Sequence, residues 1–242
     1  LLLIFTFLIS CNSEKNVQPN VVLIYLDDLG YGDVSSYELG TLETPNMDKI
    51  ANEGIRFTNG YASSATCSPS RYAMMTGTYP WRNKKAKIIT GGNLIINESE
   101  MTLPKMFKSM GYETGVVGKW HLGLGKDGPV DYNSLIIPGP NEVGFNYSYI
   151  MADTQDRVPT VYIENGSVVN LDPNDPIEIN FGNDDYGLVS GKKNPELLTM
   201  KWHHGHNDAI VNGVPRIGYM KGGEKAKWSD IDMADEFINK AK

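Results

Sequence analysis

Val21 to Leu26 is an uninterrupted apolar run that ends on Asp27-Asp28, the pattern of a strand buried on both faces that delivers two acids at its carboxyl end. Thr44-Pro45-Asn46 then opens a short helix, with Met47, Ile50 and Ala51 on one face and Gly54 as its stop. Ile55 to Thr58 reads as a second strand. Thr102-Leu103-Pro104 starts another helix, in which Leu103, Met106, Phe107 and Met110 form one stripe of core packing ended by Gly111. Tyr112 to Val117 follows as a strand, and Gly118 opens a turn that carries Lys119 and His121. Strand, helix and strand alternate, with chemically capable residues gathered after the strands. This predicts an α/β fold: a doubly wound, mostly parallel central sheet with helices on both faces.

Beyond Pro129 few segments are periodic, and Gly, Pro, Asn and Asp become frequent. Residues 129 to 228 are therefore expected to form a long excursion on the catalytic face that shapes substrate choice. The hairpin expected inside it joins Val161-Tyr162-Ile163-Glu164 to Ser167-Val168-Val169 through Asn165-Gly166. Ser229 to Lys242 reads as an amphipathic helix with Ile231, Ala234, Phe237, Ile238 and Ala241 on its apolar face and no stop signal. At the other end, Leu1 to Ile9 is too short to span a bilayer and suits the apolar core of a secretion signal. Leu8-Ile9-Ser10-Cys11 resembles a bacterial lipobox, which would make Cys11 a lipid-bearing residue and attach the protein to a membrane; a plain signal peptide with an incidental cysteine is the alternative. The expected plan is a signal over 1–11, a linker over 12–19 and, over 20–242, the N-terminal part of a catalytic domain. The expected location is outside the cytoplasm of a bacterium, as a periplasmic or cell-surface lipoprotein.

A net charge of −7, with no block of Lys and Arg, argues against nucleic acid as a partner. Positive charge is instead expected locally, at Arg71, Lys119, His203, His204, His206 and Arg216. The chain has two cysteines. With Cys11 claimed by the leader, Cys67 would lack a disulfide partner in an oxidising compartment, and a modified cysteine explains that better than a free thiol.

Cys67-Ser68-Pro69-Ser70-Arg71 reads as a helix start, with Ser68 as its cap and Pro69 in its first turn. Free amide N–H groups there suit an anion, and Arg71 one turn on adds a fork for oxyanions. A buried cysteine at an ordinary helix start is the competing reading. Asp27 and Asp28 repel each other unless a cation neutralises them; an acidic turn is the alternative. Lys119 and His121, two apart on an extended segment, can face the same side, against the alternatives of a solvated lysine and a satisfied histidine. His203, His204 and His206 could bind zinc, but no cysteine or acid lies at zinc-site spacing. A substrate-facing loop is the better reading, with His204, His206 and Arg216 as candidate substrate contacts. Asp184-Asp185 and Asn207-Asp208 follow no apolar strand and read as loop residues.

Ala65-Thr66-Cys67-Ser68-Pro69-Ser70-Arg71 through Gly77 resembles the first signature of the type I sulfatases, within the alkaline phosphatase superfamily. Gly111-Tyr112-Glu113-Thr114-Gly115-Val116-Val117-Gly118-Lys119-Trp120-His121 resembles the second. The resemblance implies an alkaline phosphatase-like fold of which this chain holds the N-terminal part, truncated at its C-terminal side. It implies that Cys67 is oxidised to formylglycine by a sulfatase-maturating enzyme, and that the aldehyde hydrate attacks sulfur and carries a transient sulfate ester. It further implies that Asp27, Asp28 and the modified Cys67 hold a divalent cation, Ca²⁺ or else Mg²⁺. Arg71 would orient the formylglycine, Lys119 would bind sulfate, and His121 would share in proton transfer. The implied substrate is a sulfated carbohydrate. No match to the family's second Asp-Asn metal pair or leaving-group histidine occurs before Lys242. Two rivals are a phosphomonoester or phosphonate hydrolase, which would place Ser or Thr at position 67, and a noncatalytic lipoprotein that binds sulfated glycans, which would have lost one of the site residues.

Overall fold

The computed structural model describes residues 18–37, 42–182, 185–199 and 205–242. It divides into two units, Leu1–Thr58 and Asn59–Lys242. The leader with Cys11, and also Asp184, His203 and His204, lie outside the described residues.

In the first unit, helix α1 (Pro45–Glu53) begins and ends where its sequence predicts, with Thr44 before it and the Gly54 amide closing on the Ile50 carbonyl at 2.9 Å. The Ser35 hydroxyl fastens its start, donating to Asp48 at 2.6 Å and accepting from the Thr44 amide at 2.9 Å. The apolar runs at 21–26 and 55–58 form no strand among the described residues, and both are exposed. Their composition fits a strand, but a strand exists only through a hydrogen-bonded neighbour, which composition cannot supply.

The second unit is built around a mixed sheet. Helix α2 (Cys67–Thr76) and helix α3 (Leu103–Ser109) precede strand β1 (Gly115–Lys119), and β2 (Tyr147–Met151), β3 (Tyr162–Glu164) and β4 (Ser167–Val168) complete the sheet in the order β1-β2-β3-β4. β1 and β2 run parallel, from Gly115 opposite Tyr147 to Lys119 opposite Met151. β2, β3 and β4 pair antiparallel. In the β3–β4 turn Asn165 and Gly166 take φ +47° and +85°, the left-handed pair that a two-residue hairpin with the natural twist requires.

Two sequence expectations change here. β1 starts and ends later than the predicted 112–117 and includes Gly118 and Lys119. Residues 129–228 are not one excursion, because β2 to β4 lie inside it and belong to the main sheet. The segment Tyr147-Ser148-Tyr149-Ile150-Met151 is short and buried on both faces, so β2 shows no alternation in the sequence. Outside the sheet, β5 (Glu178–Asn180) pairs with β8 (Tyr219–Lys221), and β6 (Ile210–Val211) with β7 (Val214–Pro215) across Asn212-Gly213, a second hairpin.

Alternation along the strands divides the interior. Ile150 and Ile163 join the larger core with Trp120, Leu122, Val143 and Val161. Tyr149, Met151 and Tyr162 face the other way, into a cluster with Trp228, Met233 and Phe237. Met233 and Phe237 come from helix α4 (Met233–Ala241), which starts later than the predicted 229 and leaves Ile231 93% exposed. Polar ties seat α4 on the sheet: the Tyr149 hydroxyl donates to Glu236 at 2.6 Å, and Lys240 to Glu164 at 3.1 Å.

Candidate active site

Helix α2 is buried on nearly every side: Ser68 through Ala73, and Met75, are all buried. An apolar helix in that position needs no explanation, but this one carries two serines and an arginine into the interior. Thr66, not Ser68, is the residue before the first turn, so Cys67 is the first helical residue and Pro69 the third. Pro69 still fits, because the first amides of a helix have no intrahelical partner to lose. The Ser70 amide makes an early bond of the helix, to the Thr66 carbonyl at 3.1 Å, and the Gly77 amide closes the end on Ala73 at 2.8 Å. The Ser68 hydroxyl is fully buried and has no hydrogen-bond partner.

One turn after Cys67, Arg71 reaches across to β1 and donates from Nη1 to the Lys119 carbonyl at 2.7 Å. The chain then continues beside β2: the Trp120 amide bonds to the Met151 carbonyl at 3.0 Å and the His121 amide to Ala152 at 2.9 Å. His121 takes φ +53°. The segment is therefore not extended through His121, and the two-apart argument for Lys119 and His121 does not apply. A left-handed histidine is sparsely populated and persists where its surroundings hold it. Here the ring is fully buried, with Nε2 at 2.8 Å from the Ile89 carbonyl and at 2.7 Å from Arg157 Nη1. Burial, together with the charges of Arg157, Lys119 and Arg71, lowers its pKa to about 4, although the Ile89 contact pulls the other way. At neutral pH the imidazole is uncharged.

Two further residues complete this cluster. Asp153 follows β2, is almost wholly buried, and accepts from the Gly91 amide at 2.7 Å. Burial raises its pKa to about 6 against the opposing effects of that bond and of Arg157. Arg157 is the second, buried against His121. The rule that singles out Asp27-Asp28, an acid just after an apolar strand, applies equally to Asp153 after β2. Arg71, Lys119 and Arg157 thus place positive charge around a neutral histidine in an acidic chain; Arg71 and Lys119 are among the residues expected to carry local positive charge, and Arg157 is not.

The other expected site residues fall elsewhere. Arg216 is fully buried and both terminal nitrogens of its guanidinium are engaged internally: they donate to the carbonyls of Gln155 and Val211 and pair with Asp230 at 2.5 Å. It stands within 6.0 Å of the Trp228 ring and holds the fold instead of meeting substrate, correcting the expectation. His206 is half exposed, with Nδ1 at 2.8 Å from Asp156. Asn207-Asp208 is loop, as read, and Asp208 accepts from the Gly218 amide at 2.8 Å. A concavity of about 650 Å³ bordered by Tyr72, Arg82, Lys84, Lys85, Glu98 and Glu100 includes none of Cys67, Arg71, Lys119 or His121. In the first unit Asp27 and Asp28 are exposed, and Asp28 takes φ +57°. Two adjacent carboxylates are an all-oxygen donor set that fits a hard divalent cation. Among the described residues no group of three His, Cys, Asp or Glu is gathered, so the pair would be part of a shell.

Comparison with known proteins decides the family. The sulfatase family model matches residues 19–212. The chain belongs to the sulfatase family. It is 48% identical over 232 residues to the N-acetylgalactosamine-6-O-sulfatase of Bacteroides thetaiotaomicron, a match that covers 96% of this chain and 45% of that protein. It is 39% identical over 162 residues to human steryl-sulfatase, across 64% of this chain and 27% of that one. A solved structure from B. thetaiotaomicron, described in connection with the metabolism of multiple glycosaminoglycans, superposes with a TM-score of 0.86 at 50% identity over 89% of this chain and 45% of that chain. The chain thus spans less than half the length of these relatives. Over that span it has the α/β fold of the sulfatases, alkaline phosphatase-like as expected.

Proposed function

We propose that the protein of which this chain forms part is a sulfuric ester hydrolase acting on a sulfated carbohydrate, with a 6-O-sulfated N-acetylgalactosamine unit of a glycosaminoglycan as its substrate. The observation that carries this reading is the buried helix α2, which presents Cys67 at its start and Arg71 one turn on, tied to the Lys119–His121 segment. Near-half identity to an N-acetylgalactosamine-6-O-sulfatase across almost the whole chain supports the substrate class.

Cys67, converted to formylglycine, would supply the nucleophilic oxygen as the aldehyde hydrate. Asp27, Asp28 and the oxygen that replaces the Cys67 thiol would hold a divalent cation, and oxygen donors favour Ca²⁺ over softer metals. Bound there, the cation would draw charge from a sulfate oxygen. The remaining steps belong to side chains of this chain. Arg71 carries a fixed charge at the start of α2 and orients residue 67. Lys119 offers an ammonium to the sulfate group. His121, uncharged at neutral pH, takes part in moving the proton of the attacking hydroxyl. His206, and His204 outside the described residues, are candidate sugar contacts. Export and a lipid anchor on Cys11 belong to the same proposal, because extracellular polysaccharide requires an enzyme outside the cytoplasm.

The test is peptide mass spectrometry across Cys67 in the full-length protein expressed with a sulfatase-maturating enzyme, followed by sulfate release from 6-O-sulfated N-acetylgalactosamine. Conversion of thiol to aldehyde with sulfate release is expected. An unmodified thiol despite an active maturase overturns the mechanism.

A further inference from the structure

His121 Nε2 stands between two groups that make opposite demands. Arg157 Nη1, at 2.7 Å, can only donate, because a guanidinium has no acceptor and keeps its protons. The Ile89 carbonyl, at 2.8 Å, can only accept. A neutral imidazole has one N–H, so Nε2 satisfies one of them and not the other. The guanidinium is charged and buried, and leaving its proton against an N–H costs more than leaving a carbonyl beside a lone pair. Nε2 is therefore the acceptor and the ring proton resides on Nδ1. Nδ1 is itself buried and has no partner among the protein groups.

We infer that Arg157 is a positioning residue for His121: it fixes the ring as the Nδ1–H form, so that an oxygen reaching Nδ1 of resting His121 would meet an N–H donor and not a free lone pair. This deepens the proposed role of His121 and rests on that reading only for the identity of the oxygen. The charged groups acting on the ring are Arg157 beside it, Lys119 from β1 and Arg71 from α2, and no acid offsets them directly. Asp153 and Asp156 face Arg157 instead, and Asp156 is shared with His206. Asp153 also holds the Gly91 amide, two residues from the Ile89 carbonyl, so the acid anchors the segment that bears the competing acceptor. Chemically, an Nδ1–H donor steadies negative charge on a substrate or nucleophile oxygen. For His121 to take a proton at Nδ1 the ring must first change to the Nε2–H form, exchanging Arg157 for Ile89 as the partner of Nε2.

The experiment is long-range ¹⁵N–¹H correlation of the full-length protein labelled in histidine, with Arg157→Lys and Arg157→Met as variants. Wild type is expected to show His121 protonated on Nδ1 and bare on Nε2. Arg157→Met, which removes the donor and its charge, is expected to move the proton to Nε2, facing Ile89, and to raise the pH at which the ring titrates. Arg157→Lys keeps a cationic donor and is expected to restore the wild-type tautomer. In the pH profile of kcat/KM the acid limb should move upward in Arg157→Met and return in Arg157→Lys, a shift that loss of packing alone would not give. Wild type protonated on Nε2 overturns the inference, and so does an unchanged tautomer in Arg157→Met. The wild-type spectrum decides by itself if Arg157→Met does not fold. A protein that releases no sulfate would sink the sulfatase reading and leave this result standing.

Discussion

Arg71 donates a 2.7 Å hydrogen bond to the main-chain oxygen of Lys119, joining residues 48 apart in sequence. The bond fixes the start of α2 against the end of β1, and with it the two segments that carry Cys67, Lys119 and His121. Arg71 thereby holds the backbone of the site with one arm of its guanidinium.

Arg71→Lys keeps the charge and shortens the reach. The loss of one charge-assisted bond to a half-buried carbonyl is expected to cost about 1.5–3 kcal/mol of stability, read as a lower urea midpoint. Turnover in the matured full-length protein is expected to fall by more than the stability loss accounts for, because residue 67 also loses its planar fork. Wild-type stability with full sulfate release would show that the tie is dispensable.

The Arg216–Asp230 pair makes a separate prediction. Arg216 is fully buried and Asp230 nearly so, so Asp230→Asn leaves a guanidinium charge without its counter-ion. Stability is expected to drop by about 3–5 kcal/mol. KM, measured on the folded fraction at low temperature, is expected to be unchanged, because the pair tethers the loop at Gln155 and Val211. A large rise in KM with little loss of stability would return Arg216 to the substrate site.

Gly91 takes φ +59°, and a Cβ there would overlap a ring carbon of Phe181. Gly91→Ala is therefore expected to destabilise by about 1–3 kcal/mol. It should also disturb the Gly91 amide bond to Asp153, and with it the Ile89 carbonyl against His121. The His121 ring resonances are the readout; if they stay in place while stability falls, the segment does not control the ring.

The sequence made parts of this arrangement legible because local rules govern them. Thr44-Pro45 and Gly54 bound α1, and Asn165-Gly166 sets a hairpin, since caps and two-residue turns depend on a few neighbouring residues. The helix bearing Cys67 and Arg71 was equally readable. What stayed hidden depends on distant pairing. β2 becomes a strand by lying parallel to β1 from Gly115 to Lys119, and only then does Asp153 become an acid at a strand end. Arg216 looked like a free cation because nothing in Val214-Pro215-Arg216 announces Asp230 as its partner. Arg157 could not be linked to His121 by any spacing rule, since the two meet through a turn after β2 and a left-handed residue after β1.

Acid sensitivity offers the last test, because two buried groups of the cluster titrate in opposite senses over the same range. His121 holds a proton only below about 4 in the folded protein, whereas its ordinary value is 6.5. Between those values the unfolded chain binds more protons, so the stabilisation tied to a neutral His121 is complete above 6.5 and is lost as the pH falls through 4. Asp153 is raised from 3.8 to about 6, so its contribution is complete below 3.8 and is lost as the pH rises through 6. Each shift corresponds to about 3 kcal/mol, so in the wild type the two slopes largely cancel between pH 4 and 6. Asp153→Asn removes one slope and leaves the other. Its stability is expected to fall by about 3 kcal/mol relative to wild type as the pH is lowered from 6.5 to 4, measured by urea denaturation at several pH values. Parallel stability profiles for the two proteins would mean that Asp153 is not raised in the fold, and a flat profile in Asp153→Asn between pH 6.5 and 4 would mean that His121 does not stay neutral there.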